Sequence, residues 1–377
     1  MVAIQTVSAV IGAQTRHGLA RSIAQRFPRP VVYALVLLLV LANTLNIAAD
    51  LAAMGAALQL LIGGRALAYA LAFGLACLGA EVWVPYHRYA GYLKFLTLAL
   101  LVYVVAAFTL HIPWSRVAVA TFAPSITLHR DLMLTIVAVF GTTISPYLFF
   151  WQASQEAEEQ RLLQQRARRA RAPSASAQSA AGNPSRTRLR RISLDTWTGM
   201  AFSNVIAFCI IATTATTLHA RGITHIDTAA QAAEALRPIA GELTFVLFAA
   251  GIVGTGLLAV PVLAGSAAYA VADVVGLRGS LELPARSARG FYGIMTAATL
   301  GGAALAVTKV NVVAMLFWTA VVNGLVAVPI MIAMMLLVSG RAGAKSFPLP
   351  AWLRALGWLA TLIMAVAAAA LAGSALL

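Results

Sequence analysis

The stretch GTTISPYLFFWQ, residues 141–152, decides the reading of this chain. Gly141, Thr142, Thr143 and the pair Ser145-Pro146 interrupt an apolar run that begins near residue 131. Pro146 has no N–H and crowds the preceding turn, so it frees carbonyls near residues 142 and 143. In lipid a freed carbonyl must find another partner. A bound cation is one such partner, and membrane carriers build midplane ion sites from broken helices of this kind. A plain proline kink, with the neighbouring threonines satisfying the carbonyls, accounts for the same residues.

Lipid is the right solvent to assume. Of 377 residues, 61% are apolar and only 10% charged, and the mean hydropathy is +0.85. A soluble domain is about 45–50% apolar and roughly a quarter charged. Crossing the hydrocarbon takes about 20 mainly apolar residues. Nine runs meet that need, near 31–60, 66–85, 92–111, 131–152, 196–217, 243–272, 289–307, 311–338 and 351–375. Residues 1–12, MVAIQTVSAVIG, read as a tenth helix without its beginning. They have neither the basic start nor the cleavage end of a signal peptide.

The formal charge of +15 sits in short blocks between apolar runs. That pattern marks the cytoplasmic side of a membrane protein and argues against a nucleic-acid partner. With residues 13–30 placed in the cytoplasm, 21 Lys and Arg fall inside and 6 outside. Nine of the inner arginines lie between 161 and 191; without them the split is still 12 to 6. Residues 160–192, rich in Ser, Ala, Pro and Arg, offer no core to bury and read as disordered. They serve as a solvated linker or as a contact with anionic lipid headgroups. Residues 227–240 (DTAAQAAEALRPIA) read as a short amphipathic helix on the outer surface. The excess of Arg over Lys, 24 to 3, and the abundance of Ala suit a bacterial genome.

Polar groups inside apolar runs are expensive, so each is a candidate for function. Asn43, Asn46 and Asp50 share one helix face. They are either a hydrogen-bond cluster between helices or part of an ion or proton path. Glu81 lies one turn from the end of its run, where it can snorkel, and reads as structural. Asn323, followed by Gly324, is an isolated amide that reads first as a packing hydrogen bond. Gly251, Gly254, Gly256 and Gly265 allow close helix packing. The histidines at 17, 87, 111, 129, 219 and 225 stand in loops or at run ends without metal-ligand spacing. Cys77 and Cys209 are too few for a disulfide framework or a zinc site. No phosphate loop, dinucleotide fingerprint or nucleophile–base arrangement stands out, so an enzyme is not expected and no cofactor is implied.

The wording of GTTISPYLFFWQASQEAEE (141–159) resembles the sixth helix of the natural resistance-associated macrophage protein (Nramp) family of divalent metal transporters, in a divergent bacterial branch. The likeness continues through ANTLNIAADLAAMGAAL (42–58), LDTWTGMAFSN (194–204), EALRPIAGE (234–242), GTGLLAVPVLAGSAAYA (254–270) and NGLVAVPIM (323–331). It implies an all-α, LeuT-type inverted-repeat bundle with an ion held at the midplane between broken first and sixth helices. On that pattern residues 1–153 hold a partial first repeat and the sixth helix. Residues 154–193 are the disordered cytoplasmic loop, and 194–377 complete the same single domain.

Carried over residue by residue, the resemblance puts the Thr142 carbonyl and the Ser145 side chain among the metal ligands, with Gly141 and Pro146 at the helix break. Ser145 stands where the family has a methionine, and Tyr147 where it has a histidine. A hydroxyl in place of a thioether weakens selection against hard cations such as magnesium. A tyrosine does not exchange protons near neutrality as a histidine does. Asp50 falls on the family's proton route, with Ala53 replacing the glutamate that usually follows; Asn46, Tyr147 and Asn323 join it as proton-path or gating candidates. The family's acidic first helix has no counterpart after Met1, so the chain is expected to be an N-terminally truncated copy, with Met1 internal to a longer gene. The expected function is secondary transport of a divalent metal, manganese- or iron-like with magnesium admitted, coupled to protons, in a bacterial inner membrane. The alternatives are another LeuT-fold carrier, for amino acids or coupled to sodium, and a non-transporting scaffold or remnant. Metal, protons and lipid are then the partners, and the oligomeric state is left unread.

Overall fold

The computed structural model describes residues 1–84, 91, 95, 98–123, 130–169, 186–277, 279–281, 283–308, 310–340, 347 and 349–374. Of the histidines named above, His87 and His129 lie outside them, as do Arg88, Lys94, Arg171, Arg278, Lys309, Arg341 and Lys345 of the counted Lys and Arg. In chain order the helices are α1 (Val2–Thr15), α2 (Leu19–Ala24), α3 (Arg29–Ile62), α4 (Ala66–Trp83), α5 (Leu101–Thr109), α6 (Trp114–Phe122), α7 (Arg130–Thr143), α8 (Pro146–Arg169), α9 (Arg186–Thr217), α10 (Ala229–Ala233), α11 (Arg237–Ala240), α12 (Thr244–Val275), α13 (Arg289–Ala306), α14 (Val312–Ser339) and α15 (Ala351–Ser374).

Local chemistry sets several of these bounds. Pro30 stands in the first turn of α3, where a missing N–H costs nothing. The Asn311 side chain accepts the N–H groups of Val313 and Ala314 and so starts α14. Thr228 and Gln231 form a capping box that starts α10. The segment expected to be one amphipathic helix, 227–240, instead forms α10, a 3-10 turn at Glu234–Leu236, and α11. Pro238 has no N–H for the Glu234 carbonyl, which keeps the three pieces from joining.

Among the described residues seven helical segments are long and apolar enough to cross a membrane. The segment joining α7 and α8 counts as one of them, at Arg130–Gln165. The run expected at 92–111 lies partly outside the described residues. Its described part, Leu98–Thr109, bends by 110° into α6, and the two make an eighth crossing if taken as a single span. Pro113 lies at that bend. α13, expected as a span, equals α4 in length at 18 residues but is not apolar enough to be among the seven. The expected disorder of 160–192 is corrected at both ends. α8 continues the α7–α8 span, which the resemblance numbers sixth, to Arg169 and α9 begins at Arg186, leaving 170–185 outside the described residues. Both ends extend helices already nucleated in the apolar part, so no new helix has to be started.

α3 is the axle of the bundle, packed by α4, α12, α13 and α14. α1 is buried almost throughout, mainly against α8 and α15. Its Ser8 hydroxyl donates to the Phe149 carbonyl, and a Cβ at Gly12 would stand 2.0 Å from the Ala153 carbonyl oxygen. Lipid is as apolar as the core, so close backbone approach and polar bonds of this kind hold such helices together. Large apolar side chains face outward, Phe108, Phe122 and Leu362 among them, as a lipid-facing surface requires. Two cores result. One centres on α1, α8 and α14, the other on α3, α12 and α13, and Tyr147 packs against both.

Candidate ion site at a broken helix

The sixth span is interrupted at Ile144–Ser145, immediately before Pro146. The Ile144 N–H still donates to Phe140 O at 2.6 Å, the last backbone bond of α7. The Ser145 hydroxyl then donates to Gly141 O at 2.8 Å and lies 3.3 Å from Thr142 O. The hydroxyls of Thr142 and Thr143 both turn back to Val139 O, at 2.8 and 2.7 Å. The side chain that takes up the freed carbonyls is therefore Ser145, and not the threonines. Ser145 is buried, whereas Thr142 is exposed.

This arrangement leaves acceptor capacity. A carbonyl oxygen and a hydroxyl oxygen each carry two lone pairs. At cation–oxygen distances of about 2.0–2.6 Å, adjacent ligands stand about 2.9–3.6 Å apart. Thr142 O and Ser145 Oγ, 3.3 Å apart, fit one such edge. All the donors there are oxygen. Among the described residues no group of three His, Cys, Asp or Glu is placed to hold a metal.

The break is fixed by a backbone crossing. A Cβ at Gly141 would stand 1.9 Å from Ala320 O and 2.6 Å from the Gly324 nitrogen, and one at Gly324 would stand 2.7 Å from Val137 O. Only glycines allow α7 and α14 this close. Asn323 precedes Gly324 and is not isolated: it donates to Asn46 Oδ1 at 3.0 Å and accepts from Asn46 Nδ2 at 2.9 Å. One turn earlier on α3, Asn43 donates to Leu263 O and Ser266 Oγ of α12, at 2.9 and 2.7 Å. Gly141, Asn323 and Asn46 thus converge, and Asn43 ties the same stretch of α3 to α12. Tyr147 opens α8 just beyond the break, partly buried.

Asp50 lies one turn beyond Asn46 on the same face of α3. Among the described residues it has no hydrogen-bond or ion-pair partner. Glu81 does not snorkel. It is buried and accepts the Thr299 hydroxyl on both oxygens, at 3.2 and 3.1 Å. Thr299 belongs to α13, which packs against α4 and helps bury the side chain. Sequence reasoning also passed over Glu158, buried on α8, which accepts the Tyr269 hydroxyl at 2.9 Å. A carboxylate two turns past an apolar run gave no sign that α12 would cover it.

Residues 1–374 match the family model described as natural resistance-associated macrophage protein-like. The divalent metal cation transporter MntH of Yersinia enterocolitica is 28% identical over 261 residues, covering 67% of this chain. MntH of Pectobacterium carotovorum is 28% identical over 264 residues, again 67% of this chain. The chain spans 58% and 57% of the length of these two relatives. Among solved structures, a manganese transporter of Eremococcus coleocola in complex with an aromatic bis-isothiourea compound superposes with a TM-score of 0.71 at 15% identity. It covers 97% of this chain and 76% of its own. A mutant of that transporter gives 0.70 at 14% identity, with the same coverage. The fold is therefore the one that the resemblance implied: an all-α bundle of an integral membrane protein.

Proposed function

The chain belongs to the Nramp family, and from that premise we propose that it carries divalent metal cations across a bacterial inner membrane. The cation sits at the break in the sixth span, on Thr142 O and Ser145 Oγ. The observation that carries this is the 3.3 Å edge between those two oxygens, set at a proline break and braced by the Gly141–Gly324 crossing. The excess of Lys and Arg on one side supports a cytoplasmic position for the turn at 16–18 and for the 154–193 segment.

Asn46 and Asn323 act as a gate beside the site, because their paired amides bridge α3 to the helix on which the break rests. Tyr147 holds the first turn of α8 between the two cores. Asp50 carries the coupled proton away from the metal, along the seam of α3 with α4. An all-oxygen edge favours hard ions, so manganese and magnesium are discriminated less sharply than by a thioether site.

Uptake into proteoliposomes loaded with a divalent-sensitive dye tests the reading. Manganese influx that Ser145→Ala lowers about tenfold is the expected result, an interaction of about 1.4 kcal/mol. Influx of an amino acid without metal would favour the other carrier class. No flux of any solute would favour the scaffold.

A further inference from the structure

The turn between α1 and α2 carries a histidine to which the transport reading gives no work. There Arg16 takes a left-handed conformation, φ 58°, and presents its carbonyl to Arg161 of α8, whose Nε donates at 2.8 Å. The second contact is Arg161 Nη2 to His17 Nδ1, at 3.2 Å. A guanidinium has five donors and no acceptor, and it does not lose its proton. The His17 nitrogen must therefore be the acceptor, which requires a neutral ring. A protonated imidazole has no lone pair to offer, and it would place a second positive charge against Arg161.

Beside this contact lies a cavity of about 500 Å³, lined in part by His17, Arg21, Glu158, Arg161, Tyr269 and Asp273. These include the charged groups that face His17: Arg21 from α2, Glu158 and Arg161 from α8, and Asp273 from α12; Arg16 adjoins it in the turn. Burial first, then the charges of Arg21 and Arg161, hold the His17 imidazole below its ordinary value of 6.5. The sign follows from linkage. A released ring binds a proton near 6.5 and the held ring binds it only at lower pH, so the contact is at full strength above that value and weakens as pH falls. Arg161 stands about 22 Å along α8 from the break, in the second half of the helix that starts at Pro146 and ends at Arg169.

We propose that His17 is a proton-operated latch on the inner end of α8: protonation releases Arg161 and opens the cavity between α2, α8 and α12. The side on which acid acts rests on the proposed orientation; the latch itself does not. A direct test places Ala272→Cys, buried and lining the cavity, in a background with Cys77→Ala and Cys209→Ala. Labelling by a membrane-impermeant maleimide is followed from about pH 8 to about pH 5.5. At each pH the rate is divided by that of the same protein carrying His17→Gln, whose amide oxygen accepts from Arg161 without titrating. The ratio should be near one at the alkaline end. It should rise as pH falls, toward about tenfold for each unit by which the latch holds the proton off. His17→Asn serves as a second non-titrating reference if His17→Gln does not fold. A flat ratio overturns the proposal. So does an equal rise in both proteins, which would assign the opening to Glu158 or Asp273. The assay needs no metal, so its failure is separable from failure of the transport reading.

Discussion

Asn46 of α3 and Asn323 of α14 exchange two hydrogen bonds, 2.9 and 3.0 Å long, next to the glycine crossing that fixes the broken span. Each amide satisfies the other in a part-buried seam between the two helices. Asn46 also donates to Ala42 O at 2.7 Å, which uses its second N–H. Replacing one partner leaves the other unpaired, and replacing both leaves neither. Asn46→Leu and Asn323→Leu should each lower the thermal midpoint in detergent. The double variant should fall short of the sum by about 0.6–1.7 kcal/mol. Additive effects would mean that the amides are neighbours without coupling.

Ser145 separates a structural role from a ligand role. Its hydroxyl donates to Gly141 O, so Ser145→Ala should cost about 1 kcal/mol of stability from that bond alone. A ligand role adds a loss of metal affinity that Ser145→Thr, which keeps the hydroxyl, should largely avoid. Ser145→Met should sharpen the preference for manganese over magnesium by supplying a soft donor. Competition uptake with both ions checks this. Unchanged discrimination in Ser145→Met would remove Ser145 from the ion's coordination.

How much of this was legible without coordinates depends on the distance over which each signal acts. The break was readable because Pro146 breaks its own helix. The spans were readable because lipid demands long apolar runs. The identity of the group that satisfies the carbonyls was not: Ser145 and the threonines are equally near in sequence, and only rotamers decide among them. The partner of Asn46 lies 277 residues away, and no local pattern names it. Glu81 was misread for the same reason, since snorkelling depends on what covers the end of α4, and that is α13. His17 looked inert because its partner, Arg161, was counted as part of a solvated loop.

The glycine crossing allows a control within the same protein. Gly324→Ala would set a Cβ 2.7 Å from Val137 O, a backbone atom that cannot turn aside. It should cost about 1–3 kcal/mol as overpacking and move the break relative to Asn323. Gly199→Ala, on the exposed face of α9 with nothing within 4 Å, should stabilise by about 0.5–1 kcal/mol. Thermal midpoints of the two variants should therefore shift in opposite directions. Equal shifts would remove the crossing as a constraint.

The two intramembrane carboxyl groups, Asp50 of α3 and Glu81 of α4, should behave differently. Glu81 accepts the Thr299 hydroxyl on its two oxygens, and Glu81→Gln keeps an oxygen for that hydroxyl. It should fold and move metal and protons as before. Asp50 has no such partner among the described residues, and Asp50→Asn removes the single carboxyl group of α3. Metal binding to the purified variant should persist, because Asp50 is not one of the two groups assigned to the ion. Proton influx accompanying metal uptake, read with a pH dye inside vesicles, should disappear. Were Asp50→Asn to keep full proton influx while Glu81→Gln lost it, the coupling carboxylate would be on α4, and α3 would keep only its role as the axle of the bundle.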